Sequence, residues 1–163
     1  MEPVVALLMG SDSDLPVFEQ AEEVLKAFGV PYELDVMSAH RSPERVSKYV
    51  QSAKERGLKV IIAGAGMAAH LAGVAASYTT LPVIGIPISS GAMNGLDSLL
   101  STVQMPPGVP VGTVTINGGK NAALFAIEIL ATSDSELAQK LDEFRKEQRE
   151  SVEEKSARTK RRG

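Results

Sequence analysis

The chain has 163 residues, 44% hydrophobic and 23% charged, with a formal net charge of -3 and no cysteine. That length fits one domain able to bury a sizeable core. The balance excludes a general basic field for nucleic acid or an anionic membrane, and the missing thiols exclude disulfides, cysteine nucleophiles and cysteine metal sites.

Residues 4–9 form an apolar run that reads as a buried strand. The run is too short for a signal peptide or a membrane span, and Met1-Glu2-Pro3 has no basic residue, so cytoplasm is the expected compartment. Asp14 is placed to cap a helix running to Phe28. Val17, Phe18, Ala21, Val24, Leu25 and Phe28 line its apolar face, and Gly29 stops it. Residues 32–37 alternate Tyr32, Leu34 and Val36 with Glu33 and Asp35, which predicts a strand near a sheet edge with one face partly wet. Ser42 and Pro43 start the next helix as N-cap and first helical residue; Val46, Tyr49, Val50 and Ala53 form its stripe, and Gly57 ends it.

A third strand is predicted over 59–63. The helix expected over 67–77 is almost all small residues, which calls for something packed close to its backbone. Residues 82–88 read as a fourth strand, 89–95 as a polar loop and 97–104 as a short helix. Pro106-Pro107-Gly108 breaks the chain before a fifth strand over 111–116 and its helix over 121–131. Five strand–helix units in succession predict an α/β three-layer sandwich with a parallel five-stranded sheet and right-handed crossovers.

A further helix is expected from Ser135 to about Val152, with Leu137, Leu141, Phe144 and Val152 as a thin apolar stripe. Such a helix packs either on its own domain or on a neighbouring subunit. Arg158, Lys160, Arg161 and Arg162 read as a solvated, disordered end. The expected organisation is thus a catalytic domain over 1–131, an appended helix over 132–152 and a charged tail over 153–163.

Ligands of open parallel sheets bind beyond the carboxyl ends of the strands. The segments there are 10–14, 38–41, 64–70, 89–95 and 117–121, and the polar residues outside helix surfaces concentrate in them. In Gly10-Ser11-Asp12-Ser13-Asp14 the glycine permits a tight turn. Ser11 and Ser13 offer hydroxyls, and the helix start offers free N–H groups, together an anion cradle. Asp14 serves there either as a helix cap or as a ligand contact. No Gly-Lys-Ser/Thr ending follows, so nothing points to a nucleoside triphosphate loop.

Ser38-Ala39-His40-Arg41 holds one of only two histidines. An imidazole titrates near neutrality and both gives and takes protons, and an arginine grips phosphate or carboxylate through paired hydrogen bonds. The plainer alternative is a surface loop with a solvated arginine; the position at a strand's functional end favours chemistry. Gly64-Ala65-Gly66-Met67-Ala68-Ala69-His70 imitates a dinucleotide fingerprint. It lies on the third strand, and the next strand ends without the acidic residue a ribose needs. Gly64 and Gly66 instead suit a flat ligand lying on backbone, with His70 buried, hydrogen-bonded and supporting. Two histidines without clustered acids make no metal site.

These segments, together with Leu96-Asp97-Ser98-Leu99-Leu100-Ser101-Thr102-Val103-Gln104-Met105-Pro106, resemble the PurE family of purine biosynthesis, over Val4 to about Leu130. The resemblance implies a flavodoxin-like core, a homo-octamer with active sites at subunit contacts, C-terminal helices reaching across them, and neither cofactor nor metal. It implies a small ribonucleotide substrate, N5-carboxyaminoimidazole ribonucleotide, whose carboxylate moves from N5 to C4 through CO2. Ser11, Asp14 and Arg41 would bind the ribonucleotide and His40 would transfer protons; nucleic acid and membrane are not expected partners. Met67 and Ala72 stand where the family usually shows Gly and Pro. The rivals are a carboxylase taking CO2 directly, a non-catalytic nucleotide-binding module and a phospho-receiver. The last requires an Asp after the third strand, where this chain reads Ala63-Gly64.

Overall fold

Val5–Met9 is an unbroken apolar run, every residue of it buried, and it forms the inner strand β1. The computed structural model describes residues 2–161. In it β1 is joined by β2 (Tyr32–Val36), β3 (Val60–Gly66), β4 (Val83–Ile88) and β5 (Gly112–Thr113). The order is β2-β1-β3-β4-β5 with all pairings parallel, the flavodoxin-like arrangement. Leu7 stands between Leu34 and Ile62, and Ile62 stands beside Ile84. The inner strands are therefore apolar on both faces, as helical layers on both sides require.

The helices are α1 (Leu15–Phe28), α2 (Pro43–Ala53), α3 (Leu71–Ser77), α4 (Leu96–Val103), α5 (Gly119–Ala131) and α6 (Ser135–Lys160). α1 buries Phe18, Ala21, Leu25 and Phe28 and ends on Gly29 at φ 74, as its periodicity predicts. Val46 and Val50 of α2 and Leu71 and Ala75 of α3 share one core with Ala6, Leu8 and Ile61 of the sheet. The small residues of α3 do admit a close neighbour: a Cβ on Gly73 would lie 2.9 Å from the Met105 sulfur.

β2 is an edge strand, as its alternation predicts. Its acids are tied to α2 and the turn after it. Asp35 takes both oxygens to Arg45 at 2.7 and 2.8 Å, and Glu33 accepts from Arg56 at 2.7 Å and from the Tyr49 hydroxyl. Burial, with Glu33 as hydrogen-bond partner, pushes the Tyr49 phenol far up.

Five predicted elements are corrected. β3 runs on to Gly66, and α3 begins only at Leu71, because Met67 takes a left-handed φ of 52 and breaks any helix there. β5 shrinks to two residues. Its partner β4 carries Pro87, which has no N–H to give it; Val114 N donates to Gly85 O and Asn117 N to Pro87 O, so the ladder bulges. α2 ends at Ala53, with a turn carrying the chain to Gly57 at φ 92. α6 continues past Val152 to Lys160. Pairs one turn apart, including Glu154 with Arg158, support the continuation, and Arg158 and Lys160 complement its C-terminal dipole. Arg162 of the predicted basic tail lies outside the described residues.

The chain divides into two compact units, Met1–Ile127 and Glu128–Gly163. The first contains the whole sheet. In the second, Asp134 caps α6 by accepting from Glu136 N and Leu137 N, and Arg145 pairs with Glu128 at 2.8 Å. Among the described residues no helix is long and apolar enough to cross a membrane.

Candidate active site

The strand order reverses direction between β1 and β3, and an α/β sheet opens a crevice at such a point. A cavity of about 470 Å³ lies here. The loops after β1, β2, β3 and β4 all reach it.

After β1, Gly10 N still donates to Gly64 O at 2.9 Å, so the sheet holds the loop's first residue. Ser11 then caps a single 3-10 turn, Asp12–Asp14. Its side chain accepts from Ser13 N, while the Asp14 carboxylate reaches back to Ser11 N at 3.2 Å. This reciprocal box closes on the loop and not on α1; Asp14 occupies the residue before α1 but makes no side-chain bond to its N–H groups. The capping expectation for Asp14 is corrected in that respect. Only 6% of Asp14 is exposed. Burial pushes its carboxyl above the usual carboxylate range, the Ser11 amide and Ser13 hydroxyl pull it back, and the nearby Asp12 charge adds to the rise.

After β2, Ser38 organises a tight turn. Its hydroxyl accepts from Arg41 N at 3.1 Å and Arg41 Nε at 3.3 Å, and its carbonyl accepts from the Ser42 hydroxyl at 3.0 Å. Ser42 is thus bonded back to Ser38 and not to the α2 N–H groups expected of an N-cap. Arg41 Nη2 donates to Gly10 O at 3.2 Å, which joins the second loop to the first. His40 points its Nε2 at His70 Nδ1, 2.6 Å away. The rings meet edge-on, 82° apart. One nitrogen donates and the other accepts, so the pair shares one hydrogen.

His70 is hydrogen-bonded as expected, yet exposed and not buried. Its place just before α3, on the rim of the cavity, leaves it open to solvent. Gly64 is also corrected. It does not line the cavity; it is buried, and a Cβ there would press on the Phe18 ring at 2.9 Å. It makes room for packing. Gly66 does line the cavity, and a Cβ on it would overlap the Ser90 hydroxyl and lie 3.3 Å from Ile88 O.

The cavity thus gathers Ser11, Ser13, Asp14, Ser38, His40, Arg41, Gly66 and His70. Asp12, Lys120 and Asn121 are exposed and do not line it. Ser90 does, and sequence reasoning pointed only to its loop. Its one available signal was a hydroxyl two residues past the end of a buried strand. Among the described residues no group of three or more His, Asp or Glu could hold a metal ion.

The family model for AIR carboxylase matches residues 4–151, which include every loop of this cavity. The chain belongs to the AIR carboxylase family. One relative is N5-carboxyaminoimidazole ribonucleotide mutase of Pyrococcus horikoshii, 57% identical, with 96% of this chain and 89% of that one covered. Phosphoribosylaminoimidazole carboxylase of Saccharomyces cerevisiae is 54% identical over 93% of this chain but only 27% of its own length. The crystal structure of Treponema denticola PurE superposes with a TM-score of 0.86 at 30% identity, covering 93% of this chain and 95% of that one. In this member of the AIR carboxylase family, of the two positions expected from the sequence to depart from the family's usual residues, Met67 lines the cavity whereas Ala72 is buried in α3 and does not.

Proposed function

We propose that this chain is an N5-carboxyaminoimidazole ribonucleotide mutase, an isomerase that moves a carboxylate from N5 to C4 of the aminoimidazole ring. The observation that carries the reading is His40, hydrogen-bonded to His70 on the same cavity as Ser11, Asp14 and Arg41. The mutase relative supports it, since this chain covers nearly the whole of that enzyme.

The chemistry runs in two halves. The N5–carboxylate bond breaks, its electron pair stays on nitrogen, and a proton delivered by His40 gives the free amine and CO2. The C4 carbon then attacks CO2, and the C4 proton returns to His40. One imidazole serves both halves, and His70 holds its ring in place. Ser11, Ser13, the N–H groups of the 3-10 turn and the Arg41 fork suit the phosphate. Asp14 suits the ribose hydroxyls as an acceptor. Ala65, Gly66 and Ala68 suit the flat ring, with CO2 kept beside it so that recapture is local.

The proposal extends to a cytoplasmic homo-octamer with α6 docking on a neighbouring subunit. Leu96, Leu100 and Val103 favour self-association, because they lie on one face of α4, each nearly half exposed. Light scattering checks it: a monomer at working concentration would overturn the assembly.

The decisive experiment supplies purified protein with N5-carboxyaminoimidazole ribonucleotide or, separately, with aminoimidazole ribonucleotide and CO2. Ultraviolet absorbance follows the C4-carboxylated product. Efficient conversion of the first substrate is expected; conversion of the second alone would make the chain a direct carboxylase.

A further inference from the structure

Three residues other than glycine have a positive φ among the described residues: Met67 at 52, Asn94 at 50 and Asn117 at 57. Asparagine tolerates that region; methionine has no short polar side chain to bond the local backbone there. Met67 therefore holds a strained conformation, and it gains no burial in return, being 60% exposed. A strained backbone joined to an exposed apolar side chain serves nothing in the chain's own packing. Such a residue at a cavity rim points to the ligand.

Its side chain has a definite direction. Met67 lines the cavity from the loop after β3. A Cβ built on Gly91, in the loop after β4, would have only two atoms near it, Cγ and Sδ of Met67, both at 3.7 Å. The thioether thus reaches from the loop after β3 to the loop after β4. Gly91 itself stands at φ 67 and offers it a flat, side-chain-free face.

We propose that Met67 is a strap across the cavity that retains CO2 between its release from N5 and its capture by C4. The inference rests on the mutase reading. An unbranched thioether on three rotatable bonds moves aside for the ribonucleotide and falls back over the ring. A closed apolar cover keeps the small neutral molecule beside its acceptor while the ring is briefly uncarboxylated. Met67 touches no proton in transit; it is a positioning residue for the intermediate.

The test is a single turnover of substrate carrying 13C in its N5-carboxylate, in buffer containing unlabelled bicarbonate. Spontaneous loss measured without protein is subtracted, and label in the C4-carboxylate is read by mass spectrometry. Wild type is expected to keep its label. Met67→Ala, which keeps a Cβ but removes the strap, and Met67→Gly, which also relieves the backbone, are expected to lose label severalfold more and to release free aminoimidazole ribonucleotide. Met67→Leu is expected to restore retention.

Retention by the Ala and Gly variants equal to wild type overturns the strap alone. A changed assembly mass in those variants overturns it too, in favour of a contact between subunits. If wild-type protein converts no N5-carboxylated substrate, the mutase reading falls first and the strap with it.

Discussion

His40 Nε2 and His70 Nδ1 stand 2.6 Å apart, and each ring comes from a different loop of the same cavity. The contact fixes the direction in which His40 presents its other face. Deleting the two partners should therefore have unequal effects. His40→Asn removes the proposed proton carrier and is expected to lower kcat by ~10²–10⁴ while ligand binding survives. His70→Ala removes one orienting hydrogen bond and is expected to lower kcat by about tenfold with KM little changed. Steady-state kinetics with calorimetric binding to the product separate the two. Equal losses would mean that His70 carries protons itself.

Asp14 links site and stability. Burial raises its carboxyl pKa, so the folded chain binds that proton more readily than the unfolded chain does. Its contribution to stability is then fully present below the ordinary carboxylate pKa of 3.8 and is lost as pH rises through the raised folded value. Asp14→Asn is expected to raise Tm at pH 7, with the advantage shrinking as pH falls into that window. The same variant should raise KM by about tenfold, since the amide has one acceptor oxygen in place of two. A Tm difference that is flat with pH would refute the assignment.

Arg41 is exposed, and its guanidinium spans the Ser38 hydroxyl and the Gly10 carbonyl. Lysine keeps the charge but loses the planar fork. Arg41→Lys is expected to raise KM by about tenfold or more and to leave Tm within ~2 °C, as exposed polar contacts add little to stability. Thermal denaturation beside KM tests both halves.

Two glycines of one strand should answer oppositely to alanine. At Gly64 the added carbon presses on Phe18, so Gly64→Ala is expected to destabilise by ~1–3 kcal/mol while kcat at low temperature stays near wild type. At Gly66 it displaces Ser90 inside the cavity, so turnover should fall more than stability does. Ser90→Gly, which frees that space, is expected to recover part of the loss in the double variant. Denaturant titration and kcat on the same samples decide it.

The sheet was legible because its strands are apolar runs bounded by turn residues, and Tyr32–Val36 even announced an edge. The site's location followed from chain direction alone: parallel strands bring their carboxyl ends together. What stayed hidden depends on tertiary pairing. The shortening of β5 follows from Pro87 on the neighbouring strand, which no local pattern around residues 111–116 can reveal. Gly64 and Gly66 are two residues apart and look alike in sequence. They share one face of β3, and distance along the strand separates them: Gly64 lies under Phe18, and Gly66, at the carboxyl end, lies beside Ser90 and the cavity. The sequence leads one to expect His70 buried, whereas the left-handed turn at Met67 delays the helix and leaves the ring outside.

The hydrogens of the first loop are already spoken for. The Ser13 hydroxyl has its one hydrogen between Ser11 Oγ at 2.9 Å and Asp14 Oδ1 at 3.4 Å, and the Ser11 hydroxyl donates to Asp12 Oδ1 at 3.1 Å. Each serine has one hydrogen to give, so a phosphate that takes them opens two bonds as it makes two. Docking is then an exchange of acceptors on a ring of donors that keeps its shape. Asp12, which does not line the cavity, is the acceptor of the Ser11 hydrogen. In the proposed phosphate site the gain on docking would then come chiefly from the Arg41 charge, whose partners, the Ser38 hydroxyl and the Gly10 carbonyl, are not acids.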